Sequence, residues 1–281
     1  MAANTPPSSA PVHYLVPIFP GFQLLDLTGP LDILNLLSTQ PGSPRLTLTL
    51  ISDSLQPVPT KPIPPAGVEW KFDLDTAFPE TGGKVNTLFN QYLTPDTTYS
   101  EFLSGIRSGF GETKRPPTVD VLLIPGGVGT RLLRTWPDGS KTSNIQGLLD
   151  FIPQIKSYVS TAIITVCTGS YALAQTGILD KRRATTNMER FADVAARNPG
   201  VYWQRGARWV RSLSSEGEGP AGLEIWTSAG ISAGMDVTLA FVAEYYGGID
   251  VARDLAKELE YDWREIPEGE RDPLYEKHFG L

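Results

Sequence analysis

The chain contains a single cysteine, Cys167, and its neighbours are those of a nucleophile. A β-branched run at 163–166 comes directly before it, and a helix-forming run at 171–175 follows. This pattern predicts a nucleophile elbow, a sharp strand-to-helix turn that exposes one side chain above a parallel sheet. The N-terminal end of the new helix would favour a thiolate there. The alternative is a buried structural cysteine, because a free thiol also behaves as a small apolar side chain.

A cysteine nucleophile needs a partner that manages its proton, and this partner is most often a histidine. The two histidines, His13 and His278, stand near opposite ends of the chain, and neither is well placed in the sequence to face Cys167. The simpler inference is a carboxylate partner, and Asp26 is the candidate. Among neighbouring leucines its carboxyl group would be partly desolvated, with a raised pKa, and could hold and pass a proton. The alternative role for Asp26 is a helix-start acid that binds backbone N–H groups.

Two segments of small residues are further candidates for the lining of a site. Gly126 and Gly127 would let a backbone N–H approach a ligand closely and, with the N–H of Thr168, form an oxyanion hole. A glycine turn needed only for shape is the alternative. The run 228–236, which includes Ile231, either packs a helix closely on a strand or lines the same pocket. Neither segment has the spacing of a phosphate-binding or dinucleotide-binding loop, and no His/Cys/Glu cluster has metal-ligand spacing, so we expect no cofactor and no metal.

Alternating strand and helix patterns predict an α/β fold. Apolar, β-branched runs predict buried strands at 14–19, 46–52, 119–124, 162–166 and 223–228. Helical patterns occur at 26–37, 99–106, 144–155, 168–175, 189–198, 233–246 and 249–260. Such alternation forms βαβ units and a mostly parallel sheet. Because ligands bind beyond the carboxyl ends of parallel strands, we expect Asp26, the Gly126–Gly127 pair and Cys167 to converge at one edge of the sheet.

The charge and composition restrict the partners and the compartment. The net charge of −7 argues against a nucleic acid or an anionic membrane surface as partner. No apolar run is long enough to span a membrane, and residues 1–11 lack the basic and apolar regions of a secretory signal. A lone cysteine cannot form an internal disulfide. We therefore expect a cytoplasmic protein that acts on a small molecule.

We expect one domain at 12–281, preceded by a loose tail at 1–11. The stretch 54–118 fits the strand–helix alternation poorly and predicts an insertion, with a proline-rich connector at 56–65 and a loop at 109–117. The insertion carries Trp70, Phe72, Phe78, Phe89, Tyr92, Tyr99 and Phe102. Aromatic residues in such an insertion either pack it onto the domain or cover an apolar ligand. In the second case the substrate would be bulky.

Five motifs occur along the chain in an order typical of one superfamily. They are Leu25-Asp26-Leu27-Thr28-Gly29-Pro30, Ile124-Pro125-Gly126-Gly127, Val166-Cys167-Thr168-Gly169-Ser170, Lys181-Arg182-Arg183-Ala184-Thr185-Thr186 and Ala229-Gly230-Ile231-Ser232-Ala233-Gly234-Met235-Asp236. Together they resemble the ThiJ/PfpI superfamily, which is glutamine amidotransferase-like, and most closely its isocyanide (isonitrile) hydratase branch. The resemblance covers roughly 14–246. It implies a flavodoxin-like three-layer sandwich and usually a homodimer.

The resemblance also implies roles for individual residues. Cys167 would be the nucleophile and Asp26 its proton-handling partner, with Thr168 beside the nucleophile and N–H groups near Gly127 and Thr168 receiving developing charge. Where relatives often have a histidine after Ala-Thr-Thr, this chain has Asn187, and its insertion is longer than usual. Some relatives are transcription regulators with a helix-turn-helix region after this domain. The stretch after residue 246 is too short for one, so we expect no nucleic-acid partner.

The leading functional expectation is an enzyme that hydrates an isocyanide to an N-formamide through a cysteine thioimidate. A second possibility keeps Cys167 as the nucleophile but acts on a 2-oxoaldehyde or an amide. Such enzymes generally place a histidine near the cysteine, and Asn187 makes this reading weaker. A third possibility is a non-catalytic sensor or binding protein whose thiol becomes oxidised or modified. Turnover of an isocyanide to a formamide distinguishes the first possibility from the other two.

Overall fold

The computed structural model describes residues 10–108, 119–213, 215 and 223–280, and a mostly parallel sheet lies at its centre. The described strands are β1 (His13–Pro17), β2 (Thr47–Ser52), β3 (Val58–Pro59), β4 (Lys71–Phe72), β5 (Tyr92–Leu93), β6 (Thr97–Thr98), β7 (Val119–Ile124), β8 (Leu133–Thr135), β9 (Lys141–Ser143), β10 (Val159–Thr165), β11 (Arg183–Ala184), β12 (Tyr202–Trp203), β13 (Trp209–Ser212) and β14 (Glu224–Ser228). Seven of them form the central sheet in the order β13-β14-β10-β7-β1-β2-β6. Its neighbouring strands are parallel, except that β13 runs antiparallel to β14.

The middle of this sheet is formed by β10, β7 and β1, which are the strands that carry the site. Their residues are almost all buried, for example Leu122 of β7 opposite Ile163 of β10 and Leu15 of β1. A parallel strand with helices on both faces has no solvent side, so its sequence is a continuous apolar run rather than an alternation. This is why the sequence predicted these strands with small errors at their ends.

Helices cover the sheet in two groups. The described α-helices are α1 (Leu24–Thr39), α2 (Leu74–Ala77), α3 (Tyr99–Ser108), α4 (Gln146–Ile155), α5 (Gly169–Ala174), α6 (Phe191–Arg197), α7 (Ala233–Tyr245), α8 (Ile249–Glu258) and α9 (Pro273–Phe279), with short 3₁₀ helices at Pro79–Thr81, Val128–Arg131, Lys156–Tyr158 and Met188–Arg190. Helices α1, α7 and α8 pack against one another, as do α3, α4 and α5. The predicted flavodoxin-like three-layer sandwich is thereby confirmed. None of the described helices combines the length and the apolar character that crossing a membrane requires.

The sequence missed the antiparallel strand β13 and the last helix, α9. Strand β13 alternates buried and half-exposed residues over only four positions, which is a weak pattern. Helix α9 begins after Asp272, whose side chain accepts a hydrogen bond from the N–H of Leu274. Its single buried residue, Tyr275, leaves little apolar periodicity to recognise in the sequence.

The insertion at 54–118 is partly built into the domain. Tyr99 and Phe102 of α3 pack on Phe151, with ring centroids 4.8 and 6.3 Å from it. Trp70 is buried and meets Phe72 edge to face at 5.0 Å. For these aromatic residues the packing alternative is correct. Residues 1–9 of the expected tail and the expected loop at 109–117 lie outside the described residues.

Candidate active site

Cys167 lies in the turn between β10 and α5, where its main chain is left-handed, with φ at 56°. A left-handed conformation costs ~1–2 kcal/mol in a residue with a Cβ. The surrounding chain holds it there, because the N–H of Cys167 donates to the Ala229 carbonyl at 3.1 Å and the Thr186 hydroxyl donates to the Cys167 carbonyl at 3.2 Å. The predicted strand-to-helix elbow is therefore present, and neighbouring segments maintain its strain.

The Cys167 side chain is buried rather than exposed as predicted, with only 6% of its surface accessible. Burial raises the pKa of the thiol to about 12, and the negative charge of Asp26 adds to this effect. The helix that follows has only six residues, so its dipole does little to oppose them. The prediction that this turn favours a thiolate is therefore wrong for the resting protein, in which the thiol is protonated.

Three N–H groups face the sulfur and lower the thiol pKa in part. They are the backbone N–H groups of Thr168 and Ile231 and the side-chain amide of Asn187, whose Nδ2 lies 3.3 Å from Sγ. Ile231 is itself left-handed, with φ at 46°, which is a rare conformation for a β-branched residue. Strained backbone conformations at functional sites persist where the surrounding structure holds them and where they orient a functional group. Here the strained turn directs the Ile231 N–H at the sulfur.

Asp26 lies in the first turn of α1 and is fully buried. Its Oδ2 accepts a hydrogen bond from the Gly126 N–H at 2.9 Å, whereas its Oδ1 has no hydrogen-bond partner among the described residues. Burial raises the pKa of Asp26 from 3.8 to about 7, although the Gly126 N–H and the nearby Cys167 thiol lower it in part. The carboxyl group thus has the environment that the leucines of its motif predicted, and it can take or give a proton near neutral pH.

The glycine loop does not offer the free N–H groups that the sequence predicted for an oxyanion hole. The Gly126 N–H donates to Asp26, and the Gly127 N–H donates to the Thr168 hydroxyl at 3.0 Å. Glycine is nevertheless required, because a Cβ on Gly126 would lie 2.5 Å from the Thr168 nitrogen and 2.9 Å from Asp26 Oδ2. The glycine loop thereby holds the Asp26 carboxyl group close to Thr168, the residue after Cys167. The N–H groups aimed at the reacting sulfur belong to Thr168 and Ile231 instead.

The Thr168 hydroxyl is tied into the glycine loop. It hydrogen-bonds to the Gly127 carbonyl at 3.1 Å and to the Thr130 hydroxyl at 3.0 Å, in addition to the Gly127 N–H. A hydroxyl with these partners orients the peptide that carries the Thr168 N–H. Thr168 therefore acts through its backbone, and its side chain is a positioning group.

Neither histidine lies at this site. The Nε2 of His13 is 2.9 Å from the Thr49 hydroxyl on the neighbouring strand, and His278 is exposed on α9. The position where relatives often have a histidine is occupied by Asn187. Its Oδ1 accepts the N–H of Arg190 at 3.1 Å, which leaves the NH₂ end to face the sulfur. The sequence showed this residue only as a departure from a pattern, and the fold shows what it does there.

A pocket of about 260 Å³ opens above the sulfur. Its floor includes Cys167, Thr168, Asn187 and Ile231, and its lining also includes the cations Lys61, Arg131 and Arg190 and the acid Glu189. The insertion supplies part of the wall through Thr60, Lys61, Pro62, Phe78 and Val85. Among the aromatic residues of the insertion that the structure describes, only Phe78 is in the lining, while Phe89 and Tyr92 are exposed. The insertion therefore both packs on the domain and covers the site.

Replacement of Asn187 by alanine is expected to slow alkylation of Cys167 by iodoacetamide about tenfold at pH 8, because one hydrogen bond to a developing thiolate is lost. The pH at which the alkylation rate reaches half its maximum should rise, since the Asn187 amide lowers the thiol pKa. Asn187→Ser is the matched variant, because serine still caps the short helix that follows. Both variants should react slowly, and only the alanine variant should also lose thermal stability. An unchanged pH profile would reduce Asn187 to a helix cap.

The chain is similar to known proteins in sequence and in fold. The chain is 27% identical over 244 residues to an isonitrile hydratase from Pseudomonas putida, a match that covers 87% of this chain and 76% of that protein. Among solved structures it is similar to a ThiJ/PfpI family protein from Pseudomonas syringae, with a TM-score of 0.52, 19% identity and coverage of 92% of this chain and 78% of that one. No sequence-family model matches the chain.

Two other solved structures share the fold. An AraC family transcriptional regulator from Pseudomonas putida has a TM-score of 0.56 at 14% identity. The match covers 89% of this chain and 100% of that one. DJ-1beta from Drosophila melanogaster has a TM-score of 0.54 at 15% identity. The match covers 90% of this chain and 100% of that one. Fold and site together define an α/β protein with a flavodoxin-like sheet and a cysteine at a strand-to-helix elbow. In fold the chain is similar to a ThiJ/PfpI family protein, and in sequence it is similar to an isonitrile hydratase.

Proposed function

We propose that this protein hydrates an isocyanide to an N-formamide, with Cys167 as nucleophile and Asp26 as the one proton carrier. The observation that carries the proposal is the interaction of the Cys167 thiol, which lines the pocket, with the buried carboxyl group of Asp26, while the described lining of this pocket contains no histidine. Hydration of an isocyanide needs a soft nucleophile and a single group that returns its proton. The similarity to the Pseudomonas putida isonitrile hydratase supports the same reaction.

The first half of the reaction joins sulfur to the terminal carbon of the isocyanide. The thiol proton passes to the Asp26 carboxylate as the sulfur attacks, and Asp26 then delivers it to the same carbon. The product is a thioimidate, R–N=CH–S–Cys167, and Asp26 is again a carboxylate. The N–H groups of Thr168 and Ile231 and the Asn187 amide stabilise the negative charge that the sulfur carries before the bond forms.

The second half adds water to the thioimidate carbon. Asp26 removes a proton from the water as its oxygen bonds to carbon, and the nitrogen receives that proton. The carbon–sulfur bond then breaks, the hydroxyl becomes the formyl oxygen, and its proton returns to the sulfur through Asp26. One isocyanide and one water give one formamide, R–NH–CHO, and the thiol and the carboxylate are restored.

The alternatives fit the site less well. Enzymes that act on 2-oxoaldehydes and amides generally have a histidine near the cysteine, whereas here the amide of Asn187 faces the sulfur. A thiol sensor needs an accessible thiolate, because the thiolate is the species that peroxide oxidises. The Cys167 thiol is 6% exposed, and burial raises its pKa to about 12. In the proposed reaction the sulfur becomes nucleophilic as its proton passes to Asp26.

The test is a panel of isocyanides, methylglyoxal and simple amides, with formamide, lactate and ammonia measured as products. We expect formamide from the isocyanides and no turnover of the other two classes. The kcat/KM for the isocyanide should rise with pH through about 7, because Asp26 can accept the thiol proton only as a carboxylate. It should then stay level into the alkaline range, since the thiol pKa is about 12. Lactate as the sole product, or a rate that falls as pH rises through 7, would contradict the proposal.

A further inference from the structure

The pocket above Cys167 carries a concentration of positive charge that the hydration reaction itself does not require. Lys61 comes from the insertion, Arg131 from the 3₁₀ helix after the glycine loop, and Arg190 from the segment before α6. Among the described residues, Glu189 is the one acid in the lining; it is exposed and lies 3.8 Å from Arg190. The chain as a whole has a net charge of −7, so these cations are a local feature of the site.

Arg131 is the most informative of the three. Its side chain is half-buried in the pocket wall, and among the described residues its guanidinium makes no hydrogen bond and no ion pair. Burial and the neighbouring charge of Arg190 lower the pKa of Arg131, and the charges of Cys167, Asp193 and Glu189 raise it in part. Other half-buried arginines of this protein have partners, for example Arg211 with Glu224 at 2.7 Å. A half-buried guanidinium without a protein partner can form charge-assisted hydrogen bonds with an anionic ligand in the pocket.

We propose that Arg131, in a pocket that Lys61 and Arg190 also line, binds a carboxylate of the substrate, so that the physiological substrates are isocyanides that carry a carboxylate group. The planar guanidinium fork matches a carboxylate with two parallel hydrogen bonds. This inference rests on the proposed hydration for the isocyanide end of the substrate. The anion site itself is independent of that reaction, because it consists of pocket cations that take no part in it.

Alkylation of Cys167 tests the anion site without any turnover. Iodoacetate and iodoacetamide differ only in the carboxylate, and with each the sulfur bonds to the methylene carbon, iodide leaves and the thiol proton goes to Asp26. With one cysteine in the chain, intact mass reports the reaction at Cys167 alone. In Arg131→Gln we expect the ratio of the iodoacetate rate to the iodoacetamide rate to fall about tenfold, the loss of one charge-assisted hydrogen bond. Arg45→Gln is the matched control, since Arg45 is exposed outside the pocket and its loss should leave the ratio unchanged.

The outcomes separate the two proposals. A lower ratio of the iodoacetate rate to the iodoacetamide rate in Arg131→Gln supports the anion site even if no isocyanide is hydrated. A failure to hydrate isocyanides would overturn only the proposed function. Equal losses with both reagents would mean that Arg131 acts on the thiolate, and unchanged rates with both reagents would mean that it binds no anion; either result overturns the inference. If the variant does not fold, wild-type protein decides, because propionate at constant ionic strength should protect Cys167 from iodoacetamide and propionamide should not. With hydration established, isocyanoacetate should have a higher kcat/KM than its methyl ester.

Discussion

Replacement of Cys167 by alanine is expected to reduce formamide production by roughly 10³-fold or more. The thioimidate cannot form without the sulfur, and the pocket lining in the described part of the chain holds no second thiol. The fold should be retained. Alanine keeps the Cβ and with it the constraints on the turn, and a small side chain removed from a pocket floor costs only about 1 kcal/mol.

Cys167→Ser is the companion variant. It keeps a polar hydrogen-bonding atom near the N–H groups of Thr168 and Ile231, yet a hydroxyl is a far weaker nucleophile at the same position. Both variants should bind substrate and give circular dichroism spectra like that of the wild type. Formamide production by the alanine variant at more than one tenth of the wild-type rate would contradict every covalent mechanism for this site.

Replacement of Asp26 by asparagine is expected to reduce kcat by roughly 10²-fold or more, the usual contribution of a general acid–base group. Asparagine has nearly the same shape, and its oxygen can still accept the Gly126 N–H that Oδ2 accepts at 2.9 Å. It cannot receive the thiol proton. The rise of kcat/KM through pH 7 should therefore disappear along with most of the activity.

The same variant should be more stable than the wild type above pH 7. The pKa of Asp26 is about 7 in the folded protein, whereas that of an ordinary carboxyl group is 3.8. Between pH 3.8 and pH 7, Asp26 is therefore protonated in the folded state and ionised in the unfolded state. The free energy of unfolding of the wild type consequently falls as pH rises from about 4 to 7. Asparagine has no charge to bury, so Asp26→Asn should gain about 4 kcal/mol at pH 8 and little at pH 4, measured by urea unfolding.

Asp32→Asn is the matched control for both measurements. Asp32 is on the same helix but exposed to solvent, so its loss should change neither the rate nor the pH dependence of stability. If Asp26→Asn turned over substrate at the wild-type rate, Asp26 would be a residue of structural importance only. If it gained no stability at pH 8, the carboxyl group would not be desolvated in the folded protein.

The sequence by itself determined the frame of this site. Strands β1, β7 and β10 are buried on both faces, and continuous apolar runs are the strongest strand signal that a parallel sheet produces. Asp26, Gly126 and Cys167 each follow one of these strands, and parallel strands bring their carboxyl ends to one edge. A local signal and a rule of topology were therefore enough to bring the thiol and the carboxyl group together.

Only the tertiary structure decided the chemistry of those groups. The protonated thiol and the raised Asp26 pKa follow from how completely other segments exclude water, and no local pattern records that. The N–H of Ile231 and the amide of Asn187 reach the sulfur from segments far along the chain, through a strained turn in one case and a helix cap in the other. The three pocket cations likewise come from three separate segments. Proximity and solvent exclusion are properties of the packed chain, which is why the proton balance and the charge of the pocket could not be predicted from the order of its residues.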